Sequence, residues 1–150
     1  MKLVATLVLI LSLPVFAFAQ TNLPESVDKE IHQQCIEFND YDLRKVCIQQ
    51  NVEAYESWNK FITDPEFNKI SEITTRCSVD WPSYMMRVEC VKLETKALIR
   101  MNNLVNLHGI SKPVMAEAVN NCSEFQQMGY SVLEQCIREK IVSITGKPLP

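Results

Sequence analysis

Apolar residues recur at helical spacing in three stretches of the chain. Ile48, Val52, Tyr55 and Ile62 form one stripe, and Met86, Cys90, Leu93, Ala97, Met101 and Leu104 a second. Leu133, Ile137, Ile141 and Ile144 form the third. A period near 3.6 predicts an amphipathic helix in each stretch, with the stripe turned to a core. No strand-like alternation bounded by hairpin turns competes with this reading. Pro24, Pro65 and Pro113 mark further helix starts, because a missing N–H costs nothing in a first turn. Asp64 is placed to cap the helix at Pro65, and Asn22 and Ser111 those at Pro24 and Pro113. The chain has three glycines, Gly109, Gly129 and Gly146, each at a proposed helix end, where a left-handed residue stops a helix.

These helices belong to a repeat. Tyr41-Asp-Leu-Arg-Lys-Val-Cys47-Ile aligns with Tyr84-Met-Met-Arg-Val-Glu-Cys90-Val and with Tyr130-Ser-Val-Leu-Glu-Gln-Cys136-Ile. A partner cysteine lies upstream of each: Cys35, Cys77 and Cys122. One supersecondary unit thus occurs three times. In each unit a first helix ends around its cysteine. The second begins at Asp40–Tyr41, Asp80–Pro82 or Tyr130. The expected fold is all-α: three tandem helical hairpins, about six helices, stacked into one compact bundle or a short superhelix. The hairpins are bounded at about 21–62, 63–109 and 110–146, within a single domain over 20–150.

The cysteines pair by geometry. Residues twelve apart on one straight helix lie about 18 Å apart, whereas a disulfide needs Cα atoms within about 7 Å. A turn between them removes the conflict, and each pair flanks a predicted corner. The expected bonds are Cys35–Cys47, Cys77–Cys90 and Cys122–Cys136. Each closes a short loop and stabilises by about 3 kcal/mol through the unfolded chain. Metal binding would call for C-x-x-C pairs or clustered histidines, and neither is present.

Residues 1–19 read as a cleavable signal peptide: Lys2, an apolar run from Leu3 to Leu13, then Ala17-Phe18-Ala19 as a cleavage site. An even cysteine count fits an oxidising compartment, so the mature protein is expected in the periplasm or outside the cell. No later apolar run reaches membrane length, and no membrane span is expected after cleavage. The formal net charge of −3 is spread along the chain and offers no basic stripe for nucleic acid.

Tyr41, Tyr84 and Tyr130 occupy equivalent positions, and Trp81 extends the second corner. They are the candidate interaction residues, or else rings that cover the corners and disulfides. Trp58 reads as packing. Arg44 and Arg87 match in two units and are expected in solvent-facing ion pairs, with Leu133 replacing them in the third. His32 stands one turn from Asp28, as an ion pair. His108 reads as a helix-end residue. Asn121-Cys122-Ser123 fits a glycosylation sequon with a half-cystine at its centre. Nucleophile elbows, phosphate loops and assignable carboxylate pairs are absent, so no catalytic residue, cofactor or metal is expected.

The segment Cys77-Ser-Val-Asp-Trp-Pro-Ser-Tyr-Met-Met-Arg-Val-Glu-Cys90-Val resembles a motif of small exported bacterial proteins, in which an acidic-Trp-Pro turn separates two cysteines. The resemblance covers mainly residues 77–97; the first unit follows it loosely, and the third departs further. It implies a bacterial, periplasmic setting and no site residues. Insect odorant-binding and saposin-like patterns require closer cysteine spacings than any here. The expected function is a non-enzymatic binding or interaction protein of the cell envelope, its partner another protein or an envelope component. The alternatives are a carrier of a small apolar ligand and an enzyme with an unrecognised site. A carrier predicts an enclosed apolar pocket of ~300 Å³ or more. An interaction protein predicts an exposed apolar patch.

Overall fold

The computed structural model describes residues 23–63, 65, 71–107 and 109–149. The signal-peptide reading, the caps Asn22 and Asp64, and His108 lie outside the described residues. Helix α1 spans Glu25–Cys35, α2 Tyr41–Thr63, α3 Ser71–Asp80, α4 Tyr84–Leu107, α5 Lys112–Asn121 and α6 Tyr130–Thr145. A 3₁₀ helix over Ser123–Met128 fills the third corner. There is no strand among the described residues.

The disulfides are those the spacing predicts. Cys35–Cys47, Cys77–Cys90 and Cys122–Cys136 have Cα separations of 5.8, 5.7 and 6.0 Å. Each ties the end of a first helix to the second turn of the next, so each corner is closed by its own cross-link.

Local chemistry accounts for the corners. Asp40 Oδ1 accepts from the backbone N–H of Asp42 (2.8 Å) and of Leu43 (3.0 Å), which caps α2. Ser83 Oγ does the same for Met86 at α4, at 3.3 Å. The second helix of the middle hairpin therefore starts at Tyr84, two residues past Pro82. Pro24 sits at the cap of α1 rather than in its first turn, and its carbonyl accepts from Val27 and Asp28. Ser111 stands at the cap of α5 without a side-chain bond.

Gly129 is the glycine whose freedom matters most. Its φ is +112°, and a Cβ there would lie 2.7 Å from Glu94 Oε2. A side chain would be strained and would also block the carboxylate that reaches the start of α6.

The second helices α2, α4 and α6 lie side by side with α4 in the middle, and α1, α3 and α5 each pack on their own partner. Two apolar clusters result. One joins the first two hairpins through Ile31, Trp58, Ile73, Val88 and Val91. The other joins the third hairpin to the far half of α4 through Leu104, Ala118, Leu133, Ile137 and Ile141. Burying each large aliphatic side chain contributes about 1.5–3 kcal/mol. The expected stripes need correction at Ile62, Met86, Leu93 and Ile144, which are exposed. The buried face of α4 instead runs through Tyr84, Val88, Val91, Glu94, Ala97 and Leu104. A carboxylate stands in the middle of that face, so apolar periodicity alone rotates the stripe off it.

Candidate interaction site

Stacking brings the start of each downstream second helix against the first helix of the hairpin before it. At the first junction the Tyr84 hydroxyl donates to Glu30 Oε2 at 2.9 Å. Arg87 Nη2 donates to Glu30 Oε1, also at 2.9 Å, and its guanidinium lies 4.6 Å from the centre of the Tyr84 ring. Tyr55 meets Tyr84 edge-on, with ring centres 5.1 Å apart. Only 5% of Tyr84 is exposed. Burial, then the Glu30 hydrogen bond and charge, push its hydroxyl up to about 12, with Arg87 opposing.

The second junction repeats the contact in different company. The Tyr130 hydroxyl reaches Glu72 Oε2 at 3.4 Å. Arg76 lies over the Tyr130 ring at 5.6 Å and bonds both Glu72 (3.0 Å) and Glu94 (3.4 Å). Burial raises the Tyr130 hydroxyl too, helped by the Glu72 charge. Glu94, 7% exposed, accepts from the backbone N–H groups of Tyr130 and Ser131 and from the Ser131 hydroxyl. A buried carboxylate thus caps α6 from a neighbouring hairpin. Arg100 holds Glu134 through three hydrogen bonds of 2.6–3.0 Å farther along.

Glu30 and Glu72 are the same residue of the repeat. Each stands five positions before its hairpin's first cysteine, in Glu30-Ile31, Glu72-Ile73 and, in the third unit, Glu117-Ala118. The signal was present in the sequence as Glu, apolar, three residues, Cys.

Tyr41, the first of the three repeat tyrosines, has no hairpin before it among the described residues. It is 77% exposed. Its sequence neighbours Ile36, Phe38, Leu43 and Val46 are also exposed. Trp81 is exposed at the second corner, whereas Trp58 is buried in the core. Leu43, Met86 and Val132 occupy the same repeat position and are all exposed. Of the ion pairs expected for Arg44 and Arg87, Arg87 makes one, with Glu30 across the junction, and the two arginines share a second role. Arg44 donates to the Phe38 carbonyl (2.9 and 3.2 Å) and Arg87 to the Trp81 carbonyl (2.9 Å), each clamping its own corner. His32 does pair with Asp28, Nδ1 lying 3.4 Å from the carboxylate.

Grooves among the described residues are open and mixed in polarity. One of about 470 Å³ lies between α2 and α4, lined by Gln50, Glu53, Ser57, Met85, Met86 and Lys92 among others. Another, about 540 Å³, lies between the start of α5 and the C-terminal segment around Pro148 and Leu149. Among the described residues no helix is long and apolar enough to cross a membrane, and no group of three or more His, Cys, Asp or Glu residues could hold a metal. Comparison with family models, with curated proteins and with solved structures finds no match for the chain.

Proposed function

We propose that this is an exported, non-enzymatic interaction protein of the bacterial cell envelope, which binds another protein through its first hairpin corner. The observation that carries the reading is the run of exposed apolar side chains there. Ile36 is 65% exposed and Leu43 57%, next to Tyr41. Five large apolar residues are exposed within eleven positions, and exposed apolar side chains gathered at one corner suit a protein contact.

Other features support the setting. All six cysteines are oxidised, which suits a compartment outside the cytoplasm. The leader-like segment and the Asp80-Trp81-Pro82 corner point the same way. Open grooves of mixed polarity favour a protein partner over an enclosed apolar ligand. The most shifted tyrosine, Tyr84, moves away from neutrality, opposite to what general acid–base chemistry near pH 7 uses.

A photo-crosslinking residue placed at position 41 or 43 of the exported protein tests this in cells. The expected result is a discrete adduct from each, with none from position 56 on α2. Absence of any adduct from 41 and 43 removes the reading.

A further inference from the structure

We propose that the chain associates head to tail with a second copy of itself, the Tyr41 corner of one copy seating on the Glu117 face of another. The inference deepens the interaction reading and rests on it. Its basis is that the molecule already makes this contact twice internally.

At both internal junctions the glutamate five residues before a hairpin's first cysteine meets the tyrosine that opens the second helix of the next hairpin. Glu30 meets Tyr84, and Glu72 meets Tyr130. A stack of three hairpins has two junctions, and it leaves one tyrosine at its head and one glutamate at its tail. The head tyrosine is Tyr41, 77% exposed where its internal counterpart Tyr84 is 5% exposed. The tail glutamate is Glu117, exposed on α5.

Neighbouring residues repeat the first junction rather than the second. There Arg87 clamps its own corner carbonyl and also receives Glu30. Arg44 clamps its corner in the same way and has no carboxylate partner among the described residues. On the upstream side Gln34, just before Cys35, donates to the Pro82 carbonyl at 2.6 Å. The tail has another amide, Asn121, in that position before Cys122. Head and tail thus carry Tyr41 and Arg44 against Glu117 and Asn121, where the first junction has Tyr84 and Arg87 against Glu30 and Gln34. The charges are complementary. A contact of this kind is heterologous, so it grows into chains or closes into a ring.

Sedimentation velocity on the purified, oxidised protein tests it, with Tyr41→Ala and Glu117→Lys as head and tail variants. Both residues are exposed, and circular dichroism confirms that each variant is folded. The wild type is expected to sediment faster as concentration rises. Each variant alone is expected to stay monomeric, its self-affinity lowered about tenfold or more. An equimolar mixture of the two is expected to form a species of two chains and nothing larger, because one intact head meets one intact tail. A wild type that stays monomeric at every concentration overturns the proposal, as do variants that still associate or a mixture that does not pair. If position 41 crosslinks to a different protein while the wild type is monomeric, the interaction reading stands and the self-association does not. If position 41 crosslinks to nothing, both fall.

Discussion

The two internal junctions bring a glutamate and a tyrosine together in the same register but hold them by different means. The first is mostly apolar: Ile31, Trp58, Val88 and Val91 surround Tyr84, and Arg87 comes from the downstream hairpin. The second adds an ionic network to its apolar cluster: Arg76 comes from the upstream hairpin, Leu133 stands where an arginine would be, and Glu94 and Glu134 are buried. Repeat position Val88 in the middle unit is Glu134 in the last, paired with Arg100. The repeat therefore preserves the register of the contact while the energy behind it is free to change. An apolar junction loses stability in proportion to the volume removed. An ionic one fails when a single partner is removed, because the other charge is left buried.

The comparison breaks most sharply at Trp58. Trp58→Ala empties the centre of the first junction and is expected to cost about 3–5 kcal/mol in urea unfolding. Glu94→Ala at the second junction is expected to cost about 2–3 kcal/mol, since α6 loses its cap and Arg76 a partner. Hydrogen exchange in that variant should rise first at the start of α6, with α1 and α2 unchanged. A uniform rise would mean that the junctions are not separate. Gly129→Ala is expected to cost about 1–2 kcal/mol, from the positive φ and the approach of Glu94. In a Glu94→Ala background that cost should shrink, because the closest contact is gone and the backbone term and the Arg76 approach remain.

The smallest effect is at Tyr84. Tyr84→Phe is expected to cost about 0.5–1.5 kcal/mol at neutral pH. Its hydroxyl titrates near 12 in the folded protein and near 10 when unfolded. The native state keeps a proton that the unfolded chain releases, so this contribution is complete below pH 10 and is lost as pH rises through 12. Wild type and Tyr84→Phe should therefore converge in stability across that interval. A constant difference would show that the hydroxyl does not titrate with folding.

The hairpins, their order and their disulfides were legible in the sequence because their causes are local. Cysteine spacing, capping residues and a triplicated Tyr-x5-Cys run constrain segments of fewer than twenty residues each. The junctions were not legible in the same way. Glu30 and Tyr84 are separated by 54 positions, and nothing local to either says that they meet. Their signal was the threefold Glu-apolar-x3-Cys pattern, which shows up only when the repeat is extended upstream of its first cysteine. Glu94 was hidden for a different reason. A polar residue in a buried stripe looks like the edge of that stripe, so the expected face of α4 came out rotated toward Met86 and Leu93. Tyr41 shows the same limit: its sequence context matches that of Tyr84, and only its place at the head of the stack leaves it uncovered. Arg44 and Arg87 matched in sequence and match in space, but the partner they share is a corner carbonyl, which no side-chain pattern announces.

The whole account stands on one stapled corner used three times, since this fixes the register that sets each tyrosine on the glutamate before it. Proteolysis of the unreduced protein followed by mass spectrometry tests it most directly. The expected map contains the three linked peptides Cys35–Cys47, Cys77–Cys90 and Cys122–Cys136 and no free thiol. A cross-link between cysteines of different hairpins would contradict it.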